Sequence, residues 1–97
     1  MTGYFFHPLA ESELLDAAKF YEARSTGLGH SFLAAVSHAI EQIRANPESS
    51  PVVRGSLRRK ALPRFPYSLI YGAEFGAIKI FAVMHQRRRP YYWKGRN

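Results

Sequence analysis

Two apolar stripes at helical spacing, parted by one glycine-rich break, set the tightest limit on what this chain can fold into. Between Leu9 and Ser25 the residues Leu14, Ala18 and Tyr21, flanked by Leu15 and Ala17, recur at three- and four-residue intervals, while Glu11, Asp16, Lys19 and Glu22 face elsewhere. Beyond Thr26-Gly27-Leu28-Gly29, a second stripe holds Phe32, Val36, Ile40 and Ile43, with Leu33 and Ala39 beside them. Glycine tolerates the left-handed conformation that closes a helix, so the first helix ends at this break. The second ends at Asn46-Pro47, because proline cannot continue a helix. So short a link folds the pair into an antiparallel hairpin, whose joined apolar stripes need a cover.

The cover is predicted from β-prone segments on either side. Thr2 to His7, with Tyr4, Phe5 and Phe6, stops at Pro8 and reads as a first strand. Pro47 to Gly55 is polar and turn-rich, which predicts a loop. Three strands follow, Leu57 to Leu62, Tyr67 to Gly72 and Ile78 to His85, with Glu74-Phe75-Gly76-Ala77 as the turn between the last two. Strands in direct succession form a meander with one face to bury, and the helical hairpin supplies the matching apolar face. The expected fold class is α+β, in the order βααβββ: a two-helix antiparallel hairpin packed on a small, mainly antiparallel sheet. Gln86 to Asn97 forms a tail too rich in aromatics to be a solvated end, with Trp93 the natural anchor against the sheet.

The chain has 97 residues and no internal duplication, so residues 1–97 are expected to form a single domain. A domain this small buries roughly 60–65% of its unfolded surface and has little stability to spare, so a bound partner would help it. The absence of cysteine excludes disulfides, thiolate metal sites and a cysteine nucleophile, and fits a reducing cytosol. The N-terminus shows no basic leader, and the longest apolar stretch, Ala77 to Met84, is broken by Lys79 and falls far short of the roughly 20 residues of a membrane span. A soluble, cytoplasmic protein with no membrane partner is expected.

Fourteen Lys and Arg against seven Asp and Glu leave a formal charge of +7, and after Glu48 the only acid is Glu74. The second half therefore carries a concentrated positive field that would attract RNA, DNA, an acidic protein or an anionic membrane surface. His7, His30 and His38 have no metal-ligand spacing, so no metal is expected, and no sequence feature asks for a cofactor. Gly27 and Gly29 lack the Lys-Ser/Thr of a nucleotide loop. Glu11, Glu13 and Asp16 lie in the opening turns of the first helix, where acids suit the helix dipole.

The element order, Arg24-Ser25-Thr26-Gly27-Leu28-Gly29-His30-Ser31-Phe32, Asn46-Pro47-Glu48, Phe65-Pro66-Tyr67-Ser68-Leu69-Ile70-Tyr71 and the run His85 to Trp93 together resemble the RelE/ParE toxin superfamily of type II toxin–antitoxin systems. The resemblance covers almost the whole chain, and its strength lies in joint order and spacing rather than in any one piece. It implies the toxin of a toxin–antitoxin pair, held as a hetero-oligomer by a cognate acidic antitoxin. Two branches share the fold: RelE-like members cleave messenger RNA on the ribosome, and ParE-like members inhibit DNA gyrase. The Arg-Pro-Tyr-Tyr-Trp ending and the Gly-Leu-Gly link are more similar to the ParE branch.

Each branch implies a different use of the basic half. Metal-independent RNA cleavage needs a base for the 2′-hydroxyl, cations for the phosphorane-like charge and an acid for the leaving oxygen. If RelE-like, the candidates are His85, Arg87, Arg64, Lys60, Arg58 and Tyr91, with His85 the best acid–base group because its ordinary pKa lies near neutrality. A lone histidine closing a strand is more often a surface or capping residue, and Tyr91 and Tyr92 suit packing better than chemistry. If ParE-like, the set that would contact gyrase or the antitoxin is Arg58, Lys60, Arg87, Arg88, Arg89, Tyr92 and Trp93. Three adjacent guanidiniums at 87–89 repel one another and are relieved when acidic groups or phosphates arrive. The non-catalytic ParE-like reading leads. A plain basic nucleic-acid-binding module, with steeply salt-dependent binding, is the third reading.

Overall fold

The computed structural model describes residues 2–97. Helix α1 spans Pro8–Arg24, with proline in its first turn and the His7 ring accepting from Leu9 N at 3.0 Å as a cap. Helix α2 spans Leu28–Ala45, four residues ahead of Phe32, the first residue of its apolar stripe. The two glycines of the link act differently. Gly27, at φ 87°, supplies the left-handed turn. Gly29 lies inside α2 where the helices touch, and a Cβ there would sit 2.5 Å from the Ala18 carbonyl oxygen.

The sheet has five strands: β1 (Tyr4–Phe6), β2 (Val52–Arg54), β3 (Leu57–Ala61), β4 (Tyr67–Glu74) and β5 (Ala77–His85), in the order β1-β5-β4-β3-β2. β1 runs parallel to β5, with Tyr4 opposite Ile78, and the other pairings are antiparallel. The α+β architecture with its helical hairpin is as expected, with one correction. The segment 47–55, expected to be a loop, contains β2, whose Val52 pairs with Arg58 and whose Arg54 pairs with Leu57. A three-residue edge strand between Pro51 and Gly55 gives no periodicity to read.

One face of the sheet carries Leu69, Tyr71, Ile78, Ile80 and Val83 against Ala17, Phe32, Val36, Ala39, Ile40 and Ile43 of the helices. The bulge in β5 decides what the other face presents. Ile70 pairs with Ala82 and Tyr71 with Ile80, so Phe81 is the extra residue and joins Ala82 on the far side. That far face would be an exposed apolar patch, but the tail returns across it. Trp93, 3% exposed, is buried there with Ile70, Phe81, Ala82 and Met84. Among the described residues no helix is long and apolar enough to cross a membrane.

Candidate functional site

Glu13 of α1 ties the tail down. One of its oxygens accepts from Val83 N at 3.0 Å, where β1 has ended and the edge of β5 is open, and from Arg96 at 2.9 Å. The other accepts from Tyr92 Oη at 2.7 Å and from the second Arg96 nitrogen at 3.0 Å, with Arg88 at 3.8 Å. The Glu13 side chain is 17% exposed and that of Arg96 11%, so this is a mostly desolvated bidentate pair. Burial, and then donation to Glu13, pushes the Tyr92 phenol well above its ordinary range and keeps it a donor. Arg88 lies over the Tyr92 ring at 3.9 Å. The helix-dipole reading of Glu13 missed this role. The available signal was spacing: Ala10, Glu13 and Ala17 share one helical face, and both alanines are buried.

The start of β4 and the end of β5 form a basic end of the molecule. His85 is paired with Tyr67, and its ring meets the Tyr67 ring edge-on at 5.0 Å. The His85 Nδ1 accepts from Arg87 N at 3.0 Å. So engaged, Nδ1 is turned to the chain's own backbone rather than to a substrate proton. Arg64, in the turn leading to β4, has φ 69° and lies 6.0 Å from the Phe65 ring. Among the described residues Arg64, Arg87 and Arg89 have no ion-pair partner. Between this end and α1 runs a groove of about 290 Å³, lined by Glu13, Asp16, Phe20, Tyr67, His85 and Arg88.

Of the remaining candidates, Arg88 and Arg89 adjoin this end and the others stand apart from it. Arg58 is opposite Tyr71 and donates to the carbonyls of Glu48 and Ser50, at 3.1 and 2.7 Å, fastening the loop after α2. Lys60 is opposite Leu69 on the helix-facing side, two strand spacings or roughly 10 Å from β5. Tyr91, at φ 60° and 46% exposed, lies on the far face beside Trp93 and beneath Arg54. Tyr92 is half-buried at Glu13 and Trp93 is in the core. Arg88 and Arg89, with Lys94, Arg96 and His7, border an open cavity of about 580 Å³. His7 is held below its ordinary pKa by burial and then by Arg96 and Lys79. Among the described residues no group of three or more His, Asp, Glu or Cys is placed to hold a metal ion.

The structure therefore gathers His85, Arg87 and Arg64 at one end and scatters Arg58, Lys60 and Tyr91 along and across the sheet. Such a surface offers charge to a partner more readily than it offers a reaction centre to a substrate. Comparison with known proteins gives the fold and the family. One solved structure, the "Chromosomal ParDE TA system from P. aeruginosa", shares the fold with a TM-score of 0.62 at 19% identity, over 88% of this chain and 96% of that one. No curated protein sequence matches. The family model described as "ParE toxin of type II toxin-antitoxin system, parDE" matches residues 4–90. On that match, which runs from β1 into the basic tail, the chain belongs to the ParE toxin family.

Proposed function

We propose that this chain is a cytoplasmic, non-catalytic toxin that inhibits DNA gyrase by binding it, and that a cognate antitoxin with an acidic segment neutralises it. The observation that carries this reading is the state of His85, whose Nδ1 is engaged by Arg87 N while the other acid–base candidates lie elsewhere. Membership of the ParE family supports the toxin role and the pairing with an antitoxin. The unpaired cations at the basic end support an acidic partner, since close guanidiniums are stabilised by incoming carboxylates. A disordered acidic segment that folds on binding would suit so small a domain, because binding adds stability that the isolated core lacks.

The test is induction of the chain alone in a bacterial host, with DNA synthesis and translation followed by labelled-precursor incorporation over the first minutes. Early loss of DNA synthesis with an SOS response, and inhibition of supercoiling by purified protein at micromolar concentration, is the expected result. Early loss of translation with cut transcripts would overturn it in favour of a RelE-like endoribonuclease. In that case His85→Ala and Arg87→Ala would abolish toxicity, whereas the binding reading expects His85→Ala to remain toxic. Salt-sensitive nucleic-acid binding without growth arrest would leave only the basic binding module.

A further inference from the structure

The returning tail carries cations along the outside of the far face. Two cavities adjoin there, one of about 580 Å³ that reaches Arg88, Arg89 and the start of α1, the other of about 270 Å³ that reaches Arg54 in β2. Lys94, Gly95 and Arg96 line both, so one belt of surface runs from Arg88 through the end of the tail to Arg54. Its lining holds five Lys and Arg and, among the described residues, no Asp or Glu. Glu13, beneath the tail, neutralises Arg96 and lies 3.8 Å from Arg88. Arg54, Arg89 and Lys94 are exposed and have no ion-pair partner among the described residues.

What the belt lacks narrows its ligand. An acidic peptide that folds on binding needs apolar anchors as well as charge. Here Phe81 and Trp93 are buried, Leu57 is half-buried, and Leu9 at one rim is the exposed apolar side chain. A single strand of nucleic acid is held by bases stacked on open aromatic faces. The rings of the tail are already engaged: Arg88 and Arg96 lie over Tyr92 at 3.9 and 5.1 Å, and Tyr91, beneath Arg54, meets Trp93 edge-on at 5.7 Å. Cations without apolar anchors or open rings suit contacts to phosphate alone, which seat a duplex without reading its sequence.

Two of the cations are also held in advance. Arg96 is fixed by Glu13 and donates to the Phe81 carbonyl at 2.9 Å, and Arg88 rests on the Tyr92 ring. Binding then orders fewer long side chains, which lowers its entropic cost. His7 and Leu9 bring the N-terminus of α1, the positive end of its dipole, to the same wall, and the first-turn acid Glu11 is not part of the lining. Duplex DNA carries one negative charge per roughly 1.7 Å of its axis, so an elongated belt meets several phosphates at once.

We infer that the belt of Arg54, Arg88, Arg89, Lys94 and Arg96 binds the phosphate backbone of duplex DNA without sequence preference. Such binding is a property of the chain alone, so it stands or falls separately from gyrase inhibition. The test is fluorescence anisotropy of two labelled duplexes of unrelated sequence, about 20 base pairs each, with the purified full chain up to 100 µM in 50 to 200 mM NaCl. Both duplexes should bind equally, and log K should fall with log salt at a slope of about −3, from three exposed unpaired cations at roughly 0.9 each. The Arg54→Ala, Lys94→Ala double variant should bring the slope to about −1 and weaken both duplexes alike. Neither side chain has an ion pair to lose among the described residues, so the fold is kept. Lys19→Ala, the same loss of charge on the exposed side of α1, should leave the slope unchanged. No binding at 100 µM in 50 mM NaCl overturns the inference, as does a slope that the double variant does not alter. Tighter binding of a single strand of the same length overturns it in favour of base stacking, and binding of polyglutamate without binding of duplex DNA overturns it in favour of an acidic protein.

Discussion

At the scale of single residues, Glu13 is the group on which most depends. Replacing it by Gln keeps the shape and loses the charge facing Arg96, leaving a guanidinium that is 11% exposed without its counter-ion. Breaking one side of a buried pair costs about 3–5 kcal/mol, and residual exposure lowers that to about 2–4 kcal/mol for Glu13→Gln. Urea unfolding monitored by Trp93 fluorescence would measure the loss. Glu22 provides a different test. Its carboxylate accepts from Gly27 N at 2.9 Å and Gly29 N at 3.0 Å, and these backbone bonds, Gly27 first, hold its pKa below the ordinary 4.5. A depressed folded-state pKa means stability present above the unfolded value and lost as pH falls through the folded one. Wild type should therefore exceed Glu22→Gln in stability at pH 6, and the difference should shrink as pH falls below the ordinary 4.5. A constant difference from pH 6 to pH 3 would show that Glu22 acts by packing alone. Neither role was legible in the sequence. Glu13 and Glu22 look like any acids on an exposed helix, and only the return of the tail and the close crossing at Gly29 give them partners.

At the scale of elements, what could be read depended on periodicity. α2 announced itself because Phe32, Val36, Ala39, Ile40 and Ile43 all face one way, and all five are buried. The three long strands were legible from their β-prone runs, and the closing turn from Gly76. β2 was not, since Val52-Val53 is too short to show alternation. The parallel pairing of β1 with β5 was not legible either, because it depends on where the helical hairpin returns the chain rather than on local residue choice. The tail was half legible: Trp93 was expected to anchor it, but the second apolar face it covers arises from the Phe81 bulge, which no pattern shows. Trp93→Ala removes the largest side chain of that face, and tryptophan truncations in packed sites cost about 3–5 kcal/mol. Hydrogen exchange should show faster exchange along β5 and at Val83 in this variant, while α2 keeps most of its relative protection. Uniform loss across the chain would mean that tail and body unfold as one unit.

At the scale of the whole molecule, the distribution of charge matters more than its sum. The fold carries Arg64, Arg87, Arg88 and Arg89 to one end and leaves Glu48 and Glu74 at the other, so the protein presents a strong positive end to an approaching acidic chain. The asymmetry between the halves of the sequence was visible without coordinates. Its concentration at one end was not, because that requires β4 and β5 to be antiparallel neighbours with Arg64 and Arg87 both beyond the same rim. Exposed charges of this kind act on encounter more than on residence, since screening weakens long-range attraction but hardly affects desolvated contacts. For the complex with a cognate antitoxin, stopped-flow association should therefore slow about tenfold or more between 50 and 500 mM NaCl while dissociation changes little. The Arg87→Ala, Arg89→Ala double variant should remove much of that salt dependence, chiefly through the on-rate, because neither guanidinium has an ion pair among the described residues to lose. An unchanged association rate with faster dissociation would instead place both arginines inside the desolvated contact, where a guanidinium grips its carboxylate rather than steering it.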